Sequence, residues 1–366
     1  MLVKELPKVE TQQIREQCPI CGAEEEVHAC LQAIPSSVLT LQDPRIGSVV
    51  AEHYIVEEFV SSNSTNVVYK ARHQLLHTHV AVKVSNNGNA QDPFSLLRTS
   101  RAAVIAVNLD HPNIVRCITF TQETDRNAVL VMEWARGIPL SQLIAQEVSL
   151  SPLRALNLLE GLCEALRYAQ LNGVNHINLK PAGIIITHMN GYEQPRLLDF
   201  GLMKMLGPHT LETSLTSEHF KYASPEERLG QPPDQRSMNY SLGMILFDML
   251  TGMVDSLDSG IGSNARMNVP ALVKLFPEMP EAAALDEILS KCLAAKPSQR
   301  FQDVDDLSFA VNQAKTELER IERVNKTTTK LNHARKADHF AIIVILLVMA
   351  MTACIFFALQ NSMPLR

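Results

Sequence analysis

The chain has 366 residues, 46% of them apolar, and a formal net charge of −6, enough apolar material to bury a large core or two lobes with appendages. Acidic and basic residues are mixed along it, which excludes an electrostatic case for nucleic-acid binding. The opening Met1-Leu2-Val3-Lys4-Glu5 is charged almost at once, so no apolar signal sequence is expected. Cys117, Cys163 and Cys292, scattered as they are, read as buried thiols of a reducing cytosol.

Residues 1–47 form a cysteine-bearing segment and linker. Within it, Cys18-Pro19-Ile20-Cys21-Gly22 has the spacing of a zinc knuckle, and His28 and Cys30 would complete a four-ligand set. No second C-x-x-C follows, and His28-Ala29-Cys30 is a tight spacing, so a tail with incidental cysteines is the competing reading. The segment closes with the turn-prone Asp43-Pro44-Arg45-Ile46-Gly47.

Tyr54-Ile55-Val56 and Val67-Val68-Tyr69-Lys70-Ala71-Arg72 predict two strands joined by a polar turn. Val80-Ala81-Val82-Lys83-Val84 predicts a third and Ala128-Val129-Leu130-Val131-Met132 a later one, together a small sheet-rich lobe. Ser151-Pro152 then starts a helix whose apolar positions are Leu156, Leu159, Leu162, Leu166 and Ala169. Around Met244-Ile245-Leu246-Phe247 the chain is apolar on every side, as the buried centre of a helical lobe would be. Leu307, Val311, Ala314, Leu318 and Ile321 recur at steps of four and three. They fit the last helix of that lobe or, alternatively, a short coiled coil.

A helical juxtamembrane stretch (313–339) leads to Phe340–Leu359, 20 residues without a charge. A helix of that length just spans a hydrocarbon core of about 30 Å. Lys326, Lys330, Arg335 and Lys336 precede it and only Arg366 follows, so the large N-terminal part is expected in the cytoplasm and 360–366 form a short tail.

The motifs between Tyr54 and Phe301 carry a resemblance. Val80-Ala81-Val82-Lys83, Val174-Asn175-His176-Ile177-Asn178-Leu179-Lys180-Pro181-Ala182-Gly183, Asp199-Phe200-Gly201, Ser224-Pro225-Glu226 and Pro297-Ser298-Gln299-Arg300-Phe301 follow one another in the order and spacing of a protein kinase. About two-thirds of the chain, 48–312, resembles bacterial-type serine/threonine kinases. The resemblance implies an α+β, two-lobed fold, with a small β-rich lobe and a larger helical one, plus the C-terminal transmembrane helix. It also implies an ATP site: Lys83 for the phosphates, Val68 and Ala81 around adenine, Met132, Glu133 and Ala135 at the gatekeeper and hinge. Lys180 would be the catalytic-loop lysine and Asp199 the magnesium ligand, and Arg300 would pair with Glu226. The same apolar slot could instead simply pack the lobe, with Lys83 and Asp199 left as a salt bridge.

Against that pattern several working parts are replaced. Asn178 stands where the aspartate base belongs, and Gly183 where an asparagine holds magnesium. Ser61, Asn63 and Asn66 take the three glycine positions of the phosphate loop, Ala102 that of the glutamate partner of Lys83, and Ile177 that of the catalytic-loop arginine. His219 falls on the substrate-loop threonine, and Met238 on the central-helix aspartate that supports the catalytic loop. A missing general base alone costs about 10²- to 10⁴-fold in rate, and lost metal and phosphate positioning removes most of the rest. The expectation is a membrane-anchored pseudokinase: a cytoplasmic signalling scaffold or allosteric regulator with weak ATP binding, doubtful magnesium, and a partner that is an active kinase or its substrate. An active atypical serine/threonine kinase is the alternative. Thr210, Thr213, Ser214, Thr216 and Ser217 lie where kinases are often phosphorylated, or form a plain polar loop.

Overall fold

A computed structural model describes residues 43–62, 66–85, 104–123, 127–174, 179–198, 217–257, 268–321, 323, 349 and 351–352. The chain divides into two compact units, and it passes between them at Arg116/Cys117 and again at Trp134/Ala135.

The first unit is a six-stranded antiparallel sheet in the order β1-β2-β3-β4-β6-β5. Its strands are β1 (Val49–Val50), β2 (Tyr54–Ser62), β3 (Asn66–His73), β4 (His79–Ser85), β5 (Cys117–Gln122) and β6 (Ala128–Glu133). β-Branched residues dominate these strands because they pack well on a pleated surface. Successive side chains point to opposite faces, and one face gathers Val56, Tyr69, Ala71, Val80, Val82, Val84, Val129 and Val131 into the core. β4 lies between β3 and β6, and all its residues but His79 are buried. Its sequence is accordingly a near-continuous apolar run. Residues 43–47, expected to be linker, belong to this unit: Tyr69 Oη donates to Asp43 Oδ2 at 2.9 Å, and Arg45 Nη1 pairs with Glu123 at 2.9 Å.

The second unit is mainly helical. It takes in residues 104–116, helical over 104–108, and continues with β7 (Gly137–Pro139), α1 (Leu140–Glu147) and α2 (Pro152–Leu171), where Pro152 occupies the first helical turn and tolerates the missing N–H there. All five apolar positions expected on α2 are buried. β8 (Ile184–Met189) and β9 (Tyr192–Leu197) form a hairpin beside β7, followed by α3 (Ser217–Tyr222), α4 (Pro225–Arg228) and α5 (Gln235–Thr251). From Ser237 to Thr251 every residue of α5 is buried, as the all-round apolar sequence demands. A capping box of Asp234 and Ser237 starts this helix, and Gly252 ends it at φ 63, where a Cβ would lie 2.2 Å from the Val148 carbonyl oxygen.

α6 (Leu272–Leu275), α7 (Ala282–Cys292) and a last helix, α8, over residues 304–321 complete the unit. Leu307, Val311, Ala314 and Leu318 are buried, and Lys315 pairs with Glu160 of α2. The stripe therefore packs on its own lobe, and the expected break at 312/313 falls inside a helix. Among the described residues no helix is long and apolar enough to cross a membrane. Of the 340–359 stretch only Met349, Met351 and Thr352 are described, all helical; the remainder lies outside the described residues.

The second unit is tied together by Arg300, whose side chain is fully buried. Its Nη1 and Nη2 reach Glu226 Oε1 and Oε2 at 2.6 and 2.8 Å, and Ser237 Oγ donates to Glu226 Oε1 at 2.6 Å. Burial alone would raise the Glu226 carboxyl, but these donors outweigh it and hold it at about 2, against an ordinary 4.5. A depressed carboxyl stabilises the fold fully above its unfolded value, and the stabilisation is lost as pH falls from about 4.5 through about 2. Arg300→Leu should destabilise the second unit by roughly 3–5 kcal/mol in urea unfolding, since it strands a buried carboxylate. In Glu226→Gln, thermal melts between pH 5 and pH 2 should lose that component of the acid sensitivity.

Candidate functional site

In the first unit the face of the sheet opposite the core carries the expected nucleotide residues. Val68 stands directly across from Lys83, Ala81 from Met132, and Lys83 from Leu130. Because neighbouring strands put paired residues on the same face, Val68, Ala81, Lys83, Leu130 and Met132 form one continuous patch. It is apolar but for a single ammonium. Lys83 is only 8% exposed, which keeps a charge in a place that burial makes costly. Glu133 ends β6 opposite Val80, and Lys70 Nζ lies 5.5 Å from the ring centroid of Trp134, next in the chain.

The same face reveals what replaces the phosphate-loop glycines. Asn66 pairs with Ser85, so its side chain shares the Lys83 face, and it is buried. Ser85 Oγ accepts a hydrogen bond from the Ala128 N–H at 2.8 Å. Glycine at position 66 would leave open backbone for a phosphate; asparagine fills it with a carboxamide. Ser61 is exposed on β2 opposite Val68. Asn63 and Ala102 lie outside the described residues.

In the second unit the catalytic-loop remnant is arranged around the β8–β9 hairpin. Its turn is Asn190-Gly191, with φ 53 and 83, the left-handed pair that favours a two-residue connection. The hairpin is clamped on both sides. Asn113 Nδ2 donates to the Pro195 carbonyl at 2.8 Å, and the Leu197 N–H donates to the Asn113 carbonyl at 2.9 Å. On α2, Gly161 allows this close approach, since a Cβ there would sit 2.9 Å from both Asn113 Nδ2 and Pro195 Cγ. At its open end the Leu198 N–H donates to the Gly183 carbonyl at 2.9 Å. Position 183 is therefore held beside residue 198, which immediately precedes Asp199. These are the two positions from which a kinase supplies its magnesium ligands.

Gly183 has no positive φ, and among the described residues a Cβ built on it meets nothing within 4 Å. The glycine is thus not required by the backbone; what is missing is only a side chain. Lys180 is half-buried and precedes the 3-10 turn Pro181–Gly183, and Leu179 is buried. Ile177, Asn178 and Asp199 lie outside the described residues, as do Thr210, Thr213, Ser214 and Thr216. Ala135 is half-buried at the start of the second unit.

The segment before Ser224-Pro225-Glu226 is anchored to α5. Tyr222 Oη donates to Asp248 Oδ2 at 2.7 Å, and Ser241 Oγ donates to the Tyr222 carbonyl at 2.9 Å. Burial raises the Asp248 carboxyl, partly offset by the hydrogen bonds from Tyr222 and the Val254 N–H. His219 lies within α3. Met238 is buried in α5, and its thioether is at best a weak acceptor where a carboxylate would support the loop. The three described cysteines are buried, and burial lifts the Cys117 and Cys292 thiols to about 12, which makes them inert. Cys18, Cys21, His28 and Cys30 lie outside the described residues. Among the described residues no group of three or more His, Cys, Asp or Glu could hold a metal ion.

Comparison with known proteins agrees with this geometry. Residues 54–311 match the family described as protein kinase domain. Serine/threonine-protein kinase PknB of Mycobacterium tuberculosis is 32% identical over 273 residues, covering 71% of this chain and 42% of PknB. Serine/threonine-protein kinase PrkC of Bacillus subtilis is 29% identical over 274 residues, covering 74% and 41%. The chain thus spans about two-fifths of the length of these relatives. A crystal structure of the PknI kinase domain of Mycobacterium tuberculosis superposes with a TM-score of 0.60 at 24% identity, over 75% of this chain and all of that one, a likeness of fold.

Because no described residue would touch a Cβ at 183 and the backbone there is not left-handed, Gly183→Asn should fold normally. Its Tm is expected to stay within about 2 °C of the unaltered chain in a thermal melt, as for other substitutions that create no clash.

Proposed function

The chain belongs to the protein kinase family, and we propose that within it this protein acts as a pseudokinase, a signalling scaffold or allosteric regulator, not a phosphotransferase. The observation that carries the reading is the glycine at 183, on a hairpin end that is otherwise intact. Phosphoryl transfer depends on positioning and on neutralising charge, with little covalent chemistry for the protein to do. Here one metal ligand is absent, the base position is Asn178, whose amide has no useful basicity, and Asn66 occupies the phosphate path. Such losses act on one unit of machinery and need not multiply, yet each removes a different requirement of the same step.

Nucleotide binding survives in this proposal. Val68, Ala81, Leu130 and Met132 supply an apolar surface for adenine, and Lys83 a cation for phosphate. Asp199 would be the sole remaining ligand for magnesium, so ATP is held without dependence on the metal. The partner is a protein, an active kinase or its substrate. The uncharged 340–359 stretch anchors the chain in a membrane, and the lysines and arginines before it keep the kinase domain in the cytoplasm. Cys18, Cys21, His28 and Cys30 are proposed to hold zinc, for which elemental analysis of purified protein is the check; a metal content near zero removes that part.

A second reading, an active atypical serine/threonine kinase, is favoured by one observation: Lys83 keeps its buried place on the sheet. Labelled ATP separates the two. Phosphate incorporation into the protein or a generic substrate should not exceed that of an Asp199→Ala control; activity that vanishes in the control would establish the kinase instead. ATP should raise Tm equally with and without magnesium, as a ligand that binds only the folded state does.

A further inference from the structure

The turn between β3 and β4 presents two leucines to solvent, Leu75 at 82% and Leu76 at 69% exposure. Imidazole acceptors hold it in place. His73 Nδ1 accepts from the backbone N–H groups of Leu75 and Leu76, at 3.2 and 3.3 Å. Arg72 Nη1 lies 2.9 Å from His77 Nδ1, and since a guanidinium can only donate, the imidazole nitrogen is the acceptor. Both rings in this arrangement therefore carry their single proton on Nε2 and are neutral. His77 itself sits at φ 54, a left-handed conformation that a non-glycine residue adopts at a cost. The turn is otherwise closed by three backbone bonds: His77 N–H to the His73 carbonyl, His73 N–H to the Thr78 carbonyl, and Gln74 N–H to the His53 carbonyl.

We propose that His73 and His77 form a pH-sensitive latch, which fixes the Leu75–Leu76 tip while both imidazoles are neutral and releases it when they are protonated. A proton on His73 Nδ1 removes one acceptor and leaves two backbone N–H groups to water. A proton on His77 Nδ1 sets two cations in contact at Arg72. The neighbours reinforce this sign at His73, where the His53 ring stacks at 5.8 Å and adds repulsion once both are charged, while Tyr54 meets the ring edge-on at 5.1 Å. Around His77 the charged groups are Arg72, Glu57 and Lys70, with His79 beyond them. Arg72 Nε donates to Glu57 Oε1, and His79 Nε2 is 3.2 Å from Glu57 Oε2, so His79 alone gains from a proton. Glu57 stays ionised throughout, its carboxyl held low chiefly by the Arg72 hydrogen bond. The opposing contribution of His79 lies at the start of β4 and touches no backbone group of the tip.

Hydrogen exchange of the full chain, corrected for intrinsic rates, tests the latch. Protection of the Leu75 and Leu76 amides should fall roughly tenfold from about pH 7.5 to about pH 5, the loss of about one hydrogen bond. α2 should keep its protection over the same range. His73→Asn supplies a side-chain oxygen that accepts but does not titrate, and should keep the tip protected at the lower pH. Protection independent of pH in the unaltered chain, the same fall in His73→Asn, or a fall matched in α2 would each overturn the proposal. Should the variant fold poorly, imidazole nitrogen shifts of the unaltered chain decide: a proton on His73 Nδ1 at neutral pH rules the latch out.

Discussion

A guanidinium has five N–H groups, and in a dry interior each must find an acceptor or cost free energy. Arg300 meets that demand completely. Nε donates to the Ala294 carbonyl, Nη1 to Glu226 and the Arg236 carbonyl, and Nη2 to Glu226 and the Ala295 carbonyl. The Tyr240 ring lies 5.0 Å beneath it. Four stretches of chain converge on this one group: the start of α4, the N-terminal half of α5, the end of the α7 loop and the approach to α8. A buried ion pair is weak evidence for net stability by itself. What it provides here is placement, because only one arrangement of those four stretches satisfies every donor.

The scaffold that aligns a kinase's working parts is in place: the buried α5, the clamped β8–β9 hairpin, the capping box at Ser224 and the Arg300 pair. Differences from the kinase pattern fall at Ser61, Asn66 and Gly183, while Lys83 keeps its buried place on the sheet. At Gly183 the carbonyl accepts from the Leu198 N–H, and no described residue lies within 4 Å of a Cβ built there. Asn66 shows the reverse case, a side chain added where none belongs.

Much of this was legible in the residues. Val80–Val84 reads as a strand of the small lobe, and β4 is that strand, buried inside its sheet. The α2 and α5 helices follow from Pro152 and from apolar periodicity, and the Glu226–Arg300 pair from two separated motifs. Other features were not read. The Asn190-Gly191 turn is a strong hairpin signal that could have located β8 and β9. Residues 43–47 looked like a linker because their composition is turn-prone, and only the bonds of Asp43 and Arg45 to distant partners attach them to the sheet. The stripe from Leu307 to Ile321 fits a last lobe helix or a coiled coil by period, and the pairing of Lys315 with Glu160 seats it on its own lobe.

The chain's own residues determined which side chains stand at the motif positions. Asn178, Gly183, Ala102 and Met238 are identities, and no fold gives an amide the basicity of a carboxylate or a glycine a ligand atom. Tertiary structure alone decided how residues meet in space: that Asn66 shares a face with Lys83, that the Gly183 carbonyl accepts from Leu198, and that His73 Nδ1 faces the N–H groups of an exposed leucine tip. The reason is physical. Periodicity tells which face of an element a residue occupies, whereas a hydrogen bond between residues far apart in the chain depends on register and packing that no local pattern encodes.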